Sequence, residues 1–154
     1  MPRMKEFTIR QSTEHDVPKI APLFDSYRQF YDKPPDPRVA EQFIRERLTK
    51  KESVIFLAER GGEALGFVQL FPSFSSFSAF RLWVLNDLFV APSARGLGVG
   101  RALMEEARAH AIRTGARRLT LETVVENHAA RSLYESLGYV VADESARFYS
   151  LELD

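Results

Sequence analysis

The stretch APSARGLGVGRALMEEARAHA, residues 91–111, places three glycines within five positions and then continues with strong helix formers. It follows RLWVLNDLFV, residues 81–90, whose apolar and β-favouring residues predict a strand. The N–H groups at a helix start have no partner within the helix, and the helix dipole makes that end positive. Glycines lack a Cβ, so they let the main chain approach an anion closely and adopt positive φ. The stretch therefore predicts a phosphate-binding turn, with an ordinary tight turn between strand and helix as the alternative.

The spacing of these glycines narrows the choice of phosphate ligand. It does not match the dinucleotide-binding pattern G-x-G-x-x-G, because Arg101 occupies the position of the third glycine. The stretch also lacks the Gly-Lys-Ser/Thr that ends the loop of nucleotide hydrolases. The motif spacing therefore excludes nucleotide hydrolysis.

Hydrophobic periodicity and turn residues predict the elements on either side of this stretch. The predicted strands cover 6–10, 53–60, 63–71, 81–90 and 117–125, with a last hairpin over 139–153. Gly61 and Gly62 are expected to turn a hairpin between the second and third of these strands. The predicted helices lie within 11–31, from Asp36 through Leu48, from the glycines to about residue 115, and over 127–138. Asp36 is the expected N-cap of the second helix, with Pro37 at its first position. The order β-α-α-β-β-β-α-β-α-β-β indicates an α/β fold of the mixed α+β kind. We expect a twisted mixed sheet of about six to seven strands, flanked on both faces by about four helices.

The composition indicates one globular domain spanning residues 1–154. Basic and acidic residues both number 21, and this zero net charge argues against a general nucleic-acid-binding protein. The absence of cysteine excludes disulfides, thiolate metal sites and a cysteine nucleophile. No apolar run reaches about 18 residues, and the N-terminus lacks the apolar core of a signal peptide. We therefore expect a cytoplasmic protein without a membrane partner.

The three histidines do not indicate a metal site. His15, His110 and His128 lack the spacing of metal ligands, and each is predicted at an exposed helical position. We therefore expect no metal cofactor.

Two motifs carry a family resemblance. Arg95, Gly98 and Gly100 fit Arg-x-x-Gly-x-Gly after the segment LFVAP, which resembles the acetyl-coenzyme A (acetyl-CoA) pyrophosphate loop of the GCN5-related N-acetyltransferase (GNAT) superfamily. The later segment ETVVENHAARSLYESLGYV is similar to the family's next motif through four residues in the family's order: Asn127, Ala130, Tyr134 and Gly138. The predicted element order is also that of the family. The resemblance thus extends over almost the whole chain and implies a GNAT-like fold.

The resemblance implies acetyl-CoA as cosubstrate and assigns its contacts. The pyrophosphate is expected on main-chain N–H groups of the glycine loop, and the pantetheine arm along the backbone at the end of the preceding strand. The residues implicated in cofactor binding are Leu88, Phe89, Val90, Arg95, Gly96, Leu97, Gly98, Val99, Gly100, Arg101, Asn127 and Ala130. The strand side chains are also expected in the core, and Asn127 is also an expected helix cap.

Tyr134 is the residue to which the resemblance assigns a catalytic role. In the family, a tyrosine at this position donates a proton to the departing CoA thiolate. Tyr134 also lies beside Leu133 and Leu137 on an apolar stripe, so a core-packing tyrosine is the alternative.

The general base is less directly indicated. Polyamine-acetylating relatives read LED where this chain reads LND, so their glutamate falls on Asn86, which is not basic. Strand alternation places Asn86 and Asp87 on opposite faces, so Asp87 replaces that glutamate only if the strand contains a bulge. We therefore predict Glu122, on the next strand, as the base. Pairing of either acid with Arg117 or Arg118 is the alternative.

Two groups of aromatic residues suggest either a pocket or an interface. PSFSSFSAF contributes Phe74, Phe77 and Phe80, and the end of the first helix contributes Tyr27, Phe30 and Tyr31. These residues indicate either the wall of an acceptor pocket or a dimer surface, because exposed aromatic clusters mark interfaces of both kinds. We expect a homodimer.

These observations together predict an N-acetyltransferase that moves the acetyl group of acetyl-CoA to a primary amine of a small molecule or peptide. With no cysteine to carry the acyl group, direct attack in a ternary complex is expected. The alternative is a non-catalytic acyl-CoA-binding sensor or interaction module on the same fold. The sequence does not identify the amine.

Overall fold

The computed structural model describes residues 6–153, which contain five strands and four α-helices. The strands are β1 (Thr8–Gln11), β2 (Val54–Arg60), β3 (Glu63–Ser75), β4 (Phe80–Val90) and β5 (Arg118–Thr120). The helices are α1 (Val17–Phe30), α2 (Pro37–Thr49), α3 (Val99–Arg113) and α4 (His128–Ser136), with short 3-10 turns at Glu14–Asp16 and Pro92–Ala94. This architecture is the mixed α/β fold that the sequence predicts.

The five strands form one mixed sheet in the order β1-β2-β3-β4-β5. The first three pairings are antiparallel, and β4 pairs with β5 in parallel because α3 crosses between them. The β2–β3 hairpin turns at Gly61 and Gly62, which both have positive φ, as their sequence suggests. The cap of α2 also follows the prediction, since the Asp36 side chain accepts a hydrogen bond from Val39 N at 3.2 Å.

The helices cover both faces of the sheet. On one face, α1 and α2 pack on side chains of alternating strand positions, in a buried apolar cluster that includes Ile20, Ile44, Leu57, Phe67 and Phe89. The opposite face carries α3, whose buried side chains are Val99, Ala102, Leu103, Met104, Ala107, His110 and Ala111. The sheet therefore holds the start of α3 close to the end of β4.

His110 lies inside this second layer, so its predicted exposure is wrong. Its ring packs 5.4 Å from that of Phe56 and 4.9 Å from that of Trp83. Burial lowers the pKa of the imidazole, and the nearby charge of Arg113 lowers it further. His110 lies on the face of the last turn of α3 that packs against the sheet. His15 and His128 are exposed, as predicted.

The chain divides after Glu122 into two compact units, and two predictions are wrong near and beyond this division. The predicted hairpin over 139–153 is absent from the described residues, so the sheet has five strands instead of six or seven. β5 is also shorter than predicted and ends at Thr120. The reason is physical: a strand exists only where a neighbouring strand satisfies its backbone hydrogen bonds, and alternating apolar residues do not supply that neighbour.

Among residues 6–153, no helix is both long enough and apolar enough to cross a membrane.

Candidate active site

One edge of β4 is unpaired along its second half. On one side, β4 pairs with β3 from Phe80 to Val90. On the other side, β5 pairs only with Leu82, Trp83 and Val84 of β4. Within the described chain, no strand pairs with that edge from Leu85 to Val90. Backbone groups at this edge can therefore hydrogen-bond an extended ligand in the manner of an added strand. Leu88, Phe89 and Val90, predicted to contact the pantetheine arm, lie on this half.

The same half of β4 contains a β-bulge. Gln69 lies opposite Asp87, but the next residue, Leu70, lies opposite Leu85, so Asn86 is an extra residue without a partner. The bulge brings the Asn86 and Asp87 side chains together, and Asn86 Nδ2 donates to Asp87 Oδ1 at 3.1 Å. The expected alternation of Asn86 and Asp87 therefore does not hold, and the bulge that Asp87 needs in order to replace the glutamate of the relatives is present.

The glycine loop between β4 and α3 has the open backbone that the sequence predicts. Gly96 and Gly98 have φ values of 81° and 83°, a region that other residues rarely adopt. A Cβ built on either glycine meets no atom within 4 Å. Gly98 is the N-cap of α3 and provides no side-chain hydrogen bond, and the first N–H groups of an α-helix have no partner within the helix. The loop thus has the room and the donors that a phosphate group needs.

Neighbouring residues fix the position of the loop. Val99 is buried, whereas Leu97 is exposed, and Gly100 lies in the first turn of the helix. A Cβ on Gly66 of β3 would lie 2.7 Å from Phe89 O and 3.3 Å from Val99 Cγ1. Glycine at position 66 therefore permits the close approach of β3, the end of β4 and the start of α3.

The first arginine of the loop, Arg95, is exposed and folds back on β4. Its Nε donates to Val90 O at 3.2 Å. Its guanidinium lies 5.8 Å from the ring centre of Phe89 and 5.9 Å from that of Phe30. Arg95 therefore connects the loop with the end of α1. The second arginine, Arg101, is also exposed and lies in the first turn of α3.

The second motif lies in the unit that begins at Thr123. Asn127 caps α4, as predicted, by accepting a hydrogen bond from Ala130 N at 3.3 Å. Tyr134 is half-buried on α4, a helix without a buried side chain, and its ring centre is 6.2 Å from that of Tyr139. The structure therefore gives Tyr134 a position on a partly exposed helix.

Glu122 lies two residues beyond the end of β5, outside the strand on which it was predicted, and its side chain is exposed. The two neighbouring arginines have other contacts. Arg117 N donates to Arg81 O at 2.9 Å, and the guanidinium of Arg118 lies 4.8 Å from the ring centre of Phe80.

Comparison with known proteins places the chain in a family. Residues 19–139 match the Acetyltransferase (GNAT) family. The chain is a GNAT-family acetyltransferase. It is 50% identical over 131 residues to YhfO, an uncharacterized N-acetyltransferase of Bacillus subtilis, and the match covers 85% of this chain and 88% of the relative. It is 31% identical to a probable acetyltransferase of Haemophilus influenzae over 93% of this chain and 96% of the relative.

A solved structure shares the fold of this acetyltransferase along nearly its full length. The crystal structure of a probable acetyltransferase superimposes with a TM-score of 0.87 at 41% identity, covering 96% of this chain and 98% of the other. The GNAT fold that the two motifs predict is therefore confirmed.

The aromatic residues of this acetyltransferase form two separate groups. Tyr27 packs against Tyr31, Phe67 and Phe89, with ring centres 5.2, 6.2 and 6.3 Å away. Phe74 lies seven residues further along β3 than Phe67, roughly 23 Å at the rise of a strand. Phe77 and Phe80 are at the same hairpin end, so they do not share a pocket with the group around Tyr27.

Sequence reasoning missed the buried polar chain that meets the bulge. Ser53 Oγ donates to Gln69 Oε1 at 2.8 Å, and Gln69 Nε2 donates to Asp87 Oδ2 at 2.6 Å. Gln69 within the apolar strand EALGFVQLF is the available signal, because a polar residue inside a buried strand needs a partner.

Proposed function

We propose that this protein transfers the acetyl group of acetyl-CoA to a primary amine by direct attack in a ternary complex. The observation that carries the proposal is the open glycine loop at the start of α3, in which Gly96 and Gly98 both have positive φ. This loop follows the unpaired edge of β4. The first feature offers donors for a pyrophosphate, and the second offers backbone groups for an extended arm. The family match, which crosses the boundary at Glu122, supports one functional domain.

The residues have distinct roles in this proposal. The cosubstrate contacts come from Leu88–Val90, Arg95–Arg101, Asn127 and Ala130. The amine nitrogen forms the new C–N bond to the acetyl carbon while the C–S bond breaks. Glu122 takes the proton that the amine loses, and Tyr134 gives a proton to the departing thiolate. The proposed reaction uses no metal.

Turnover with an amine panel tests this proposal. Purified protein is mixed with acetyl-CoA and spermidine, L-leucine, kanamycin or a tetrapeptide with a free α-amino group, and CoA release is followed. We expect saturable release with at least one amine, and a product heavier by one acetyl group in mass spectrometry. CoA binding without turnover of any amine would favour the non-catalytic acyl-CoA-binding module instead.

We also propose a cytoplasmic homodimer. The exposed aromatic residues Phe74 and Phe77 at the hairpin end support an interface between copies. Light scattering at micromolar concentration should return twice the chain mass of 17.6 kDa. A particle of the single-chain mass would contradict the dimer.

A further inference from the structure

A chain of buried side chains leads across the sheet to the exposed residue of the bulge. Ser53, Gln69 and Asp87 have exposures of 7%, 0% and 5%, although all three are polar. Gln69 and Asp87 are a directly opposed pair on β3 and β4, on the face that also carries Phe67 and Phe89. Asn86, which is exposed, completes the chain through its hydrogen bond to Asp87.

The chemistry of these groups fixes the direction of every hydrogen bond. An ionised carboxylate only accepts, so Gln69 and Asn86 must both turn their NH₂ groups toward Asp87. The Ser53 hydroxyl donates to the remaining oxygen of Gln69 and holds that amide in place. Because the oxygen and nitrogen are separate substituents of the planar amide carbon, Asn86 turns its Nδ2 toward Asp87 and its Oδ1 away from that hydrogen bond.

The Asp87 carboxylate takes no part in the ion pairs formed within residues 6–153. Its two oxygens are held instead by the amide groups of Gln69 and Asn86. A buried charge held only by amide dipoles favours the approach of a positive group.

The position along β4 indicates which group approaches. If the pyrophosphate lies on the loop after Val90 and the arm follows Leu88–Val90, the thioester end continues toward Asp87 and Asn86. The acceptor amine must reach that end of the cosubstrate.

We propose that Asn86 Oδ1 binds an N–H of the acceptor amine and that Asp87 is the positioning residue that holds the Asn86 amide in this orientation. The Asp87 charge favours an acceptor that binds as an ammonium ion, which makes cationic primary amines the substrate class. The ammonium gives one proton to solvent before its nitrogen attacks, and Glu122 takes the proton that the nitrogen loses as the C–N bond forms. This inference rests on the proposed acetyl transfer and names the binding group for its acceptor.

Two single variants test the assignment with the panel amine that has the highest kcat/KM. Asn86→Leu removes the acceptor oxygen at an exposed position and keeps a similar size. In Asp87→Asn, the side chain at position 87 has one oxygen, which accepts from Gln69, and one NH₂ group. Asn86 must then turn its own oxygen toward position 87 to accept a hydrogen bond from that NH₂ group. Each variant should raise the KM for the amine by about ten- to hundredfold, the usual effect of losing a hydrogen bond to a charged group. The KM for acetyl-CoA should stay within about twofold.

The exchanged variant, Asn86→Asp with Asp87→Asn, separates positioning from simple structure. It keeps the total charge, lets the amide introduced at position 87 donate to the carboxylate introduced at position 86, and presents an oxygen outward again. The amine KM should return to within about threefold of wild type. The control is Asp25→Asn, because Asp25 is also a buried aspartate that accepts two hydrogen bonds, from Gln29 Nε2 and Asp36 N. It should lower the melting temperature without changing the amine KM.

The outcomes distinguish this inference from the proposed function. If no amine is acetylated, the proposed function is overturned and the inference with it. If acetylation proceeds and Asn86→Leu leaves the amine KM unchanged, or raises the acetyl-CoA KM equally, only the inference is overturned. If Asp87→Asn does not fold, Asn86→Leu decides the binding role of Asn86, and the exchanged variant decides the positioning role. An amine KM that stays high in the exchanged variant would contradict that role.

Discussion

The unit that ends at Glu122 and the unit that begins at Thr123 differ in how their side chains are buried. Every buried apolar side chain of the described residues belongs to the first unit. In the second unit, α4 has no buried residue, and Val140, Phe148, Leu151 and Leu153 are largely exposed. Apolar burial is the main source of stability, so substitutions in the first unit should act mainly on folding. Substitutions in the second unit should leave the free energy of unfolding nearly unchanged, and those at site residues should lower activity.

The strongest test of this difference is Tyr134→Phe. The ring stays, so the melting temperature should remain within a few degrees of wild type. If the hydroxyl protonates the thiolate, the single-turnover rate should fall by about 10²–10⁴-fold, the usual size of general acid catalysis. The KM for acetyl-CoA should change far less, because the hydroxyl acts mainly in the transition state. A rate within about threefold of wild type across pH would mean that water supplies the proton.

Phe67→Ala should have the largest effect on folding. Phe67 has 0% exposure and packs its ring edge-on to Phe24 and Tyr27, at 6.3 and 6.2 Å between ring centres. Truncation should lower the free energy of unfolding by about 3–5 kcal/mol in urea denaturation. The matched control is Ile112→Ala on α3, where the side chain is 66% exposed. A change below about 0.5 kcal/mol is expected there, and equal losses in both variants would contradict the burial pattern.

Gly100→Val tests an exception within the first unit, a loop whose residues should serve binding. Gly100 lies in the first turn of α3 and is not among the glycines with positive φ, so valine causes no left-handed strain there. Calorimetric titration should show CoA affinity reduced by about tenfold or more, because the side chain displaces a phosphate from the backbone donors. Gly98→Val is the less informative variant, since Gly98 has a φ of 83°. Unchanged CoA affinity of a folded Gly100→Val protein would reject the pyrophosphate site.

His110 makes the stability of the first unit depend on pH near neutrality. Burial lowers the pKa of His110 in the folded protein. The unfolded chain therefore binds a proton at about pH 6.5, where the folded chain does not. The stability from neutral His110 is present above that pH and is lost as the pH falls toward the lowered pKa. The melting temperature should decrease less from pH 7 to pH 5 in His110→Gln than in wild type.

The control for this measurement is His15→Gln, at an exposed histidine. Its pH dependence should match that of wild type. The same slope in His110→Gln as in wild type would show that other groups cause the acid loss.

Leu151→Ser should have the smallest effect. Leu151 is 83% exposed, so the free energy of unfolding should change by less than about 0.5 kcal/mol in urea denaturation. A loss of about 2 kcal/mol or more would show that the segment 139–153 packs as the hairpin that its alternating residues predict.

Predictions that depend on neighbouring residues in the sequence are confirmed. Asp36 and Asn127 cap their helices, and Gly61 and Gly62 turn a hairpin. Gly96 and Gly98 adopt the positive φ on which the glycine loop depends. Caps and tight turns are settled by hydrogen bonds and φ values within a few residues, so the local sequence is sufficient to predict them.

The features that the sequence did not reveal depend on residues far apart in the chain. The bulge at Asn86 exists only in the register between β3 and β4, and the chain from Ser53 through Gln69 to Asp87 joins three parts of the sequence. The burial of His110 requires Phe56 and Trp83 on two different strands.

The sequence by itself therefore determined the family, the order of the elements up to α4 and the glycine loop. Only the tertiary structure decided which strands pair, how far β5 extends beside β4, and which polar side chains meet inside the sheet. Strand pairing and burial join residues that are distant in sequence, and a periodic pattern states which face of a strand is apolar without stating which strand lies next to it.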